Sequence, residues 1–383
     1  MSLIYKTVVR PILFRFDPET IHDFTINLLS VVGRQKVLCE GLMDFFCPEP
    51  LPVEVFGLRF PNPVGLAAGM DKDAVAIRAW EALGFGFVEA GAITYYPQEG
   101  NPKPRIFRVI KELAIVNRMG FNNKGAEETA LNVARMKATG CWAKIPIGVN
   151  IGKSKITTIE QAAEDYEKTF RLLWKWFDFF VINVSSPNTP NLRLLQNKEE
   201  LDKILFALNR ANVELSEKEE CAAAKNNGKK AQKIKPILVK IAPDLSYGAI
   251  EEVLNLCNER RVSGIVATNT TISRPPTEDK KVARIYAEQG GLSGRPLSRK
   301  STEIIRFIYK NTQGKLPIIG VGGVFTAQDA WEKITSGATL VQVYTGIIYE
   351  GPMIVNRIVS GLYKLMEKEG FKNLSEAIGI YAD

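Results

Sequence analysis

The 383-residue sequence predicts an α/β fold: a closed parallel (β/α)8 TIM barrel with a small N-terminal helical segment in front of it. Three observations carry this. Eight short runs, apolar through their length, are separated by longer helical patterns from Asn62 onward. The Gly-x-Gly-x-x-Gly turn that would open a doubly wound sheet is absent after the first run. The length suits one barrel plus an appendage, and we divide the chain into residues 1–45 and 46–383.

The first segment, MSLIYKTVVRPILFRFDPETIHDFTINLLSVVG, is apolar and basic and is interrupted at Pro11 and at Asp17–Pro18. Asp17 reads as an N-cap with Pro18 at the first helical position, and Ile21, Phe24, Leu28 and Val32 then share one helical face. A short pair of amphipathic helices results. The same stripe serves a lid packed on the barrel or a foot in one membrane leaflet, with Lys6, Arg10 and Arg15 meeting anionic head groups. No run reaches the roughly 20 apolar residues of a spanning helix, and the segment lacks a signal-peptide cleavage pattern.

The strand candidates are 62-NPVGLAAG, 87-FVEAGAI, 146-PIGVNIG, 179-FFVINVSS, 236-PILVKIA, 264-GIVATNT, 317-PIIGVGG and 340-LVQVYTG. Stretches such as 159-IEQAAEDYEKTFRLLWKW and 326-TAQDAWEKITSG alternate with them as helices. Two segments break the pattern. Residues 104–121 alternate apolar and polar around Lys111–Glu112, which predicts a β-hairpin at the barrel rim. Residues 214–235 are charged and poor in bulky apolar side chains, which reads as a surface excursion. From Pro352 the chain ends in a closing helix and a short tail.

The formal charge of +8 favours anionic partners, but the basic 214–235 stretch has no interleaved aromatic residues, so nucleic acid is not expected. Five scattered cysteines without CxxC spacing give neither a disulfide framework nor a zinc site. A single histidine, His22, argues against a His-based metal centre or a Ser-His-Asp triad, and no metal is expected.

Barrel strands carry functional groups at their C-terminal ends. Those ends supply Ala68, Gly69 and Lys72; Asn150; Asn183, Ser185, Ser186 and Asn188; Lys240; Thr268, Asn269 and Thr270; Gly322 and Gly323; and Tyr344 and Thr345. The set is rich in amides, hydroxyls and lysines and nearly free of carboxylates; Asp71 and Asp244 are exceptions that could each cap a following helix. Amides match the edges of a flat heterocycle, lysine answers a carboxylate, and glycine backbone after the last two strands suits a phosphate.

The segments 67-AAGMDKD, 102-PKPRIFR, 117-NRMGFNN, 181-VINVSSPNT, 238-LVKIAPDL, 267-ATNTT, 290-GGLSGRPL and 319-IGVGGV resemble dihydroorotate dehydrogenase of class 2, the membrane-associated, quinone-reducing kind. The resemblance spans about residues 50 to 360, with the motifs in order. It implies oxidation of dihydroorotate to orotate in pyrimidine biosynthesis, with FMN as cofactor and a membrane quinone as oxidant. FMN would be held by Ala68, Gly69, Met70, Asp71, Lys72, Ala92, Asn150, Asn183, Lys240, Thr268, Gly294, Gly323, Tyr344 and Thr345. Dihydroorotate would be held by Lys72, by the loop Asn117, Arg118, Met119, Gly120 and Phe121, and by Asn183, Asn188, Asn269 and Thr270. Ser186 would be the base that takes the C5 proton, and His22 and Arg105 would lie near the quinone head.

One position departs from the family pattern. Ala92 stands where a flavin-contacting Ser or Thr is usual, and backbone groups or Thr94 are the candidates to replace the hydroxyl. The class suits a bacterial inner membrane and a mitochondrial one; residues 1–16 lack the Arg- and Ser-rich, unbroken amphipathic character of a transit peptide followed by a spanning helix, so a peripheral protein, monomeric or weakly oligomeric, on the cytoplasmic face of a bacterial inner membrane is expected. The rival readings are a soluble class 1 enzyme, a tRNA dihydrouridine synthase and a non-redox phosphate-binding barrel.

Overall fold

In the computed structural model, which describes residues 2–225 and 234–382, all eight predicted runs form strands and close into one parallel barrel. They are β1 (Val64–Leu66), β2 (Phe87–Ile93), β3 (Ile147–Ile151), β4 (Phe179–Asn183), β5 (Ile237–Ile241), β6 (Gly264–Ala267), β7 (Ile318–Val321) and β8 (Leu340–Val343). Each pairs with its sequence neighbour, and β8 closes on β1 with Val341 opposite Val64. Because helices cover the outside, the strands are buried on both faces, which explains their near-continuous apolar character.

Inside, the barrel is filled at one end and open at the other. Phe60, Phe87 and Phe179 form an edge-to-face stack with ring centroids 5.3 and 6.4 Å apart. A Cβ on Gly65 would lie 2.3 Å from the Phe87 ring, and one on Gly148 would lie 2.2 Å from Phe179, so these strands approach because they carry no side chain there. A hairpin of Val53–Val55 and Leu58–Phe60, not anticipated from the sequence, caps this closed end. The site therefore forms at the other end.

The expected rim hairpin is present as Ile106–Val109 paired with Ala114–Asn117, and a third strand, Gly291–Gly294, joins it to give a three-stranded antiparallel sheet. The excursion predicted at 214–235 is corrected in its first part: one helix runs from Lys198 to Lys225. Its buried stripe of Leu201, Ile204, Leu205, Leu208 and Ala211 sets the helix, and Glu214 extends it through an ion pair of 2.7 Å to Arg171. Residues 226–233 of that call lie outside the described residues. The closing helix is found at Ile354–Glu369, packed on Ala327–Thr335.

The N-terminal segment holds three helical pieces instead of two, since Lys36–Phe46 adds a helix. Helical structure continues through Pro11, from Ser2 to Leu13 with a π turn over Tyr5–Val9, so that proline is not a break. The Asp17 cap holds: its carboxylate accepts from the N–H groups of Glu19 and Thr20 at 3.1 and 2.9 Å. The predicted stripe is split, with Ile21 and Val32 half-buried. Phe24 and Leu28 are 59% and 51% exposed, while Ile26, Leu29, Ser30 and Gly33 turn to the barrel. Two of the three basic side chains expected at a membrane are also engaged: Lys6 pairs with Glu350 at 2.6 Å and Arg10 donates to the Tyr349 carbonyl at 2.9 Å. Only Arg15 is exposed.

What ties the helix Pro18–Gly33 to the rim is a buried pair. Arg105 donates through Nε and Nη2 to Glu19, the closest contact being 2.7 Å, with both side chains at least nine-tenths buried. Burial alone would raise the Glu19 carboxyl, but hydrogen bonds from Arg105 and Lys103 outweigh it and hold it below its ordinary value. The contribution is thus present above the ordinary carboxylate range and is lost as pH falls through the lowered value. Glu19→Gln is expected to cost about 3–5 kcal/mol of stability, because it leaves a buried guanidinium uncompensated. Urea unfolding at neutral pH measures this, and a loss under about 1 kcal/mol would show that the clamp is not needed.

Candidate functional site

At the open end a cavity is walled by the strand ends and roofed by the rim sheet. Its floor is a web of amides. Asn183, at the end of β4, donates to the Asn150 side chain at 2.8 Å, and Asn150 donates to Glu89 at 2.6 Å. Glu89 sits in the middle of β2 and is fully buried. Its two oxygens also accept from Gln342 at 2.6 Å and face the Lys240 ammonium at 3.4 Å. A carboxylate is stable in such a place only when paired and hydrogen-bonded, and here three donors from β3, β5 and β8 meet it.

The β4 loop supplies the opposite wall. The Ser186 hydroxyl, only 5% exposed, accepts the Asn188 N–H at 3.2 Å. Asn188 donates to Asn117 of the rim sheet at 3.2 Å, and Asn269 donates to Ser185 at 2.9 Å. Asp244 clamps this loop from outside: it pairs with Arg193 at 3.0 Å and Lys300 at 3.2 Å and accepts the Ile272 N–H at 3.1 Å. Arg193 in turn donates to the Ser185 carbonyl at 3.1 Å. The aspartate is therefore a loop clamp rather than a helix cap.

Glycines shape the end nearest β7 and β8. Gly323 has φ +72°, and a Cβ there would lie 2.4 Å from the Ser298 Cβ; Gly294 has φ +96°, and a Cβ there would lie 2.3 Å from the Leu113 carbonyl. Both positions demand glycine for backbone conformation and for space. The hydroxyls of Thr345 and Ser293, 2.9 Å apart, stand beside them. Backbone groups and hydroxyls at a tight turn after the last two strands form a cradle for a phosphate.

Most predicted residues do reach the cavity: Ala68, Gly69, Lys72, Ala92, Asn117, Met119, Gly120, Phe121, Asn183, Ser186, Asn188, Lys240, Thr268, Asn269, Thr270, Gly294, Gly323, Tyr344 and Thr345 line it. Others do not. Asp71 turns away to accept the N–H groups of Val75 and Ala76 at 2.9 and 2.8 Å, which caps the following turn, and Met70 packs into the core beside it. Arg118 points outward to Glu288 at 2.7 Å because the Phe107 ring, 4.8 Å away, holds its guanidinium there. Asn150 lies beneath the floor. Thr94 is no replacement for the hydroxyl missing at Ala92, since it donates to the Tyr96 carbonyl at 2.6 Å and accepts from Asn123 at 2.8 Å. His22 and Arg105 lie outside the cavity wall, at the junction with the N-terminal helices. Burial, then the nearby Lys72 charge, pushes the His22 imidazole down to about 3, so it is neutral.

Sequence reading missed Glu89, Gln342 and Ser293. The first two were visible as single polar letters inside runs that are otherwise apolar. Two buried acceptors that face the cavity, Oε1 of Gln342 and Oδ1 of Asn188, have no donor among the described residues. Such orphans call for ligand N–H groups. Lys72 enters no ion pair among the described residues, and burial pushes its ammonium down to about 8. The site thus fits two planar, N–H-bearing groups, one with a phosphate and one with a negative charge near Lys72.

The comparisons with known proteins follow the same line. The family profile described as Dihydroorotate dehydrogenase matches residues 50–366. The chain is 48% identical over 392 residues to the "Dihydroorotate dehydrogenase (quinone)" of Trichormus variabilis, covering 98% of each chain. It is 49% identical over 362 residues to the protein of that name from Chloroflexus aurantiacus, covering 93% of this chain and 95% of that one. Among solved structures, ligand-free DHODH from Eimeria tenella is 38% identical with a TM-score of 0.83, covering 95% of this chain and 99% of that one.

Removing the charge at the floor is expected to unsettle the barrel itself. Glu89→Gln leaves Lys240 without its carboxylate and should lower stability by about 3–5 kcal/mol. Denaturant unfolding of the full chain tests this; a change below about 1 kcal/mol would mean that the amides alone hold the floor.

Proposed function

The chain belongs to the dihydroorotate dehydrogenase family, and from that premise we propose how its residues divide the work. It oxidises dihydroorotate to orotate with a quinone as electron acceptor, and it uses a flavin, which we assign as FMN. The observation that carries the assignment is the cavity itself: a glycine and hydroxyl cradle at one end, an orphaned Gln342 acceptor in the middle, and Lys72 with the Asn188 acceptor at the other. Held there, a flavin would supply the hydride-accepting and electron-passing chemistry that links the substrate to the quinone.

The residues of the chain have distinct tasks in this reading. Gly294, Gly323, Ser293 and Thr345 hold the phosphate. Lys240 and Gln342, aligned by Glu89, meet the polar edge of the ring system. Lys72 binds the substrate carboxylate, and Asn117, Asn183, Asn188 and Asn269 match its ring amides. Ser186 accepts the C5 proton at its Oγ as its own hydroxyl proton is handed on to a bound water or hydrogen-bond chain that relays it outward. The Asn188 N–H that donates to this oxygen holds it in place, and burial limits access of bulk water.

For the quinone, the junction of the N-terminal helices with the rim is the reading best supported. The Lys72 charge acts on His22, and Glu19 and Asp23 of the same helix act on Lys72, which supports a helix beside the substrate end of the site. Arg105 is fixed by Glu19 and by the Glu99 and Asn101 carbonyls, the latter at 2.8 Å. Residues 3–45 carry twelve exposed large apolar side chains, among them Leu3, Ile12, Phe16, Phe24, Leu28 and Val37. No helix among the described residues is long and apolar enough to cross a membrane. An interfacial foot on an inner membrane accounts for both facts. The rival readings give way: the relatives carry the quinone activity in their names, and the C-terminal helix closes the barrel.

A purified protein that absorbs as a flavin, is bleached anaerobically by dihydroorotate and is reoxidised faster by a soluble quinone than by fumarate is the expected result. Ser186→Ala should keep the flavin but lose most of its reduction by dihydroorotate, at least about 100-fold, with Ser186→Cys retaining more. Near wild-type reduction in the alanine variant would remove Ser186 from the base role. The lowered Lys72 value gives a pH test. Because the ammonium loses its proton above about 8, orotate affinity should fall as pH rises through that region. Titration of orotate by flavin difference spectra at pH 7 and 9 checks this, and in Lys72→Met the slope should flatten.

A further inference from the structure

One charged side chain in the barrel wall has no task in the reaction as described. Lys333, on the helix Ala327–Thr335, is completely buried. Its stem runs past Gly320 of β7, where a Cβ would lie 3.4 Å from the lysine Cδ. Its ammonium reaches the first turn of the helix Ser298–Thr312 and donates to Ser301 Oγ at 3.0 Å, Thr302 Oγ1 at 3.2 Å and the Ser298 carbonyl at 3.4 Å. All three acceptors are neutral. Among the described residues Lys333 has no carboxylate in ion-pair contact; Asp329 and Glu332, on its own helix, act only at a distance. Asp329 is occupied in capping that helix.

A buried ammonium held by neutral oxygens is costly unless an anion lies close. The surroundings show where that anion would be. Ser301 accepts from Lys333 and its hydroxyl donates to the Val321 carbonyl at 2.7 Å, directly before Gly322 and Gly323. The same turn of helix packs on those glycines: a Cβ on Gly322 would lie 3.1 Å from Ser301 and one on Gly323 would lie 2.4 Å from Ser298. The lysine therefore stands immediately behind the cradle, on the far side of one helical turn.

We propose that Lys333 is the buried counter-charge of the phosphate seat and a positioning residue for it, acting through Ser301 on the Val321–Gly323 turn. It touches no ligand. It places one positive charge behind the cradle and fixes the backbone that meets the phosphomonoester. The inference rests on the FMN reading above. It also accounts for an ammonium that burial pushes down to about 7 without a phosphate in place.

The test compares FMN with riboflavin, which lacks the phosphate, on the flavin-stripped full chain, with binding read by fluorescence quenching. Wild type should prefer FMN. Lys333→Met, and the more conservative Lys333→Gln, should weaken FMN on the order of tenfold and leave riboflavin affinity unchanged. A merely structural role would weaken both ligands alike, and that result overturns the proposal. A glutamine or methionine variant that keeps the full wild-type preference for FMN also overturns it, while the FMN reading stands. A wild-type protein without any preference for FMN would instead remove the phosphate seat, and this inference with it.

Discussion

The structure turns on a carboxylate placed where barrels rarely tolerate one. Glu89 lies inside the barrel with no exposed surface and gathers Asn150, Lys240 and Gln342 from three other strands. Without it, Lys240 and the Gln342 amide would have no partner in the floor. Joined to Glu89 they form a rigid floor, and through Asn150 the order extends to Asn183 and then to Asn269, which donates to the Asn183 oxygen at 3.3 Å. The geometry of the reacting face thus depends on one negative charge below it. Low local polarity strengthens every bond of such a web and raises the cost of leaving any member unpaired.

A second constraint joins the two halves of the reaction. Dihydroorotate and quinone are chemically unlike, one an anion and the other an apolar carrier, so their entrances must differ. The Glu19–Arg105 pair pins an apolar helical segment to the rim, and in the reading proposed above that segment would give the quinone its own entrance. The consequence reaches back into the site: a neutral His22 faces Lys72 and adds no second charge there. Exposed apolar side chains on the outer face and a buried ion pair on the inner face are then two sides of one device.

The barrel was legible because buried parallel strands write themselves as apolar runs, and all eight were found in place. The loop residues that line the cavity were legible because amides and glycines cluster at strand ends. What escaped notice has physical reasons. Glu89 and Gln342 were read as part of strands since one polar letter does not break an apolar run, and only the closed barrel shows that both point to the same interior point. For Pro18–Gly33 the stripe of Ile21, Phe24, Leu28 and Val32 left a packed lid and a membrane foot both open, because a helical stripe reports amphipathicity, not the partner. Lys198–Lys225 ran longer than its composition suggested because ion pairs such as Arg171–Glu214 sustain a charged helix after its apolar stripe ends.

Charge balance explains why a hydroxyl serves where a stronger base would seem better. Three lysines lie in or behind the site, Lys240 and Lys333 buried and Lys72 half-buried. Lys240 is matched within the protein by Glu89, whereas Lys72 and Lys333 have no ion-pair partner among the described residues. Burial depresses both of the latter, to about 8 and about 7. A carboxylate and a phosphate from the two ligands would restore neutrality, one anion to each cation. An ionised base at position 186 would add a negative charge to a site already balanced, and would compete with the substrate carboxylate for Lys72. In the role proposed for it, Ser186 would avoid that conflict: the hydroxyl is neutral, and it would accept the C5 proton, made acidic by loss of the hydride, while relaying its own proton outward.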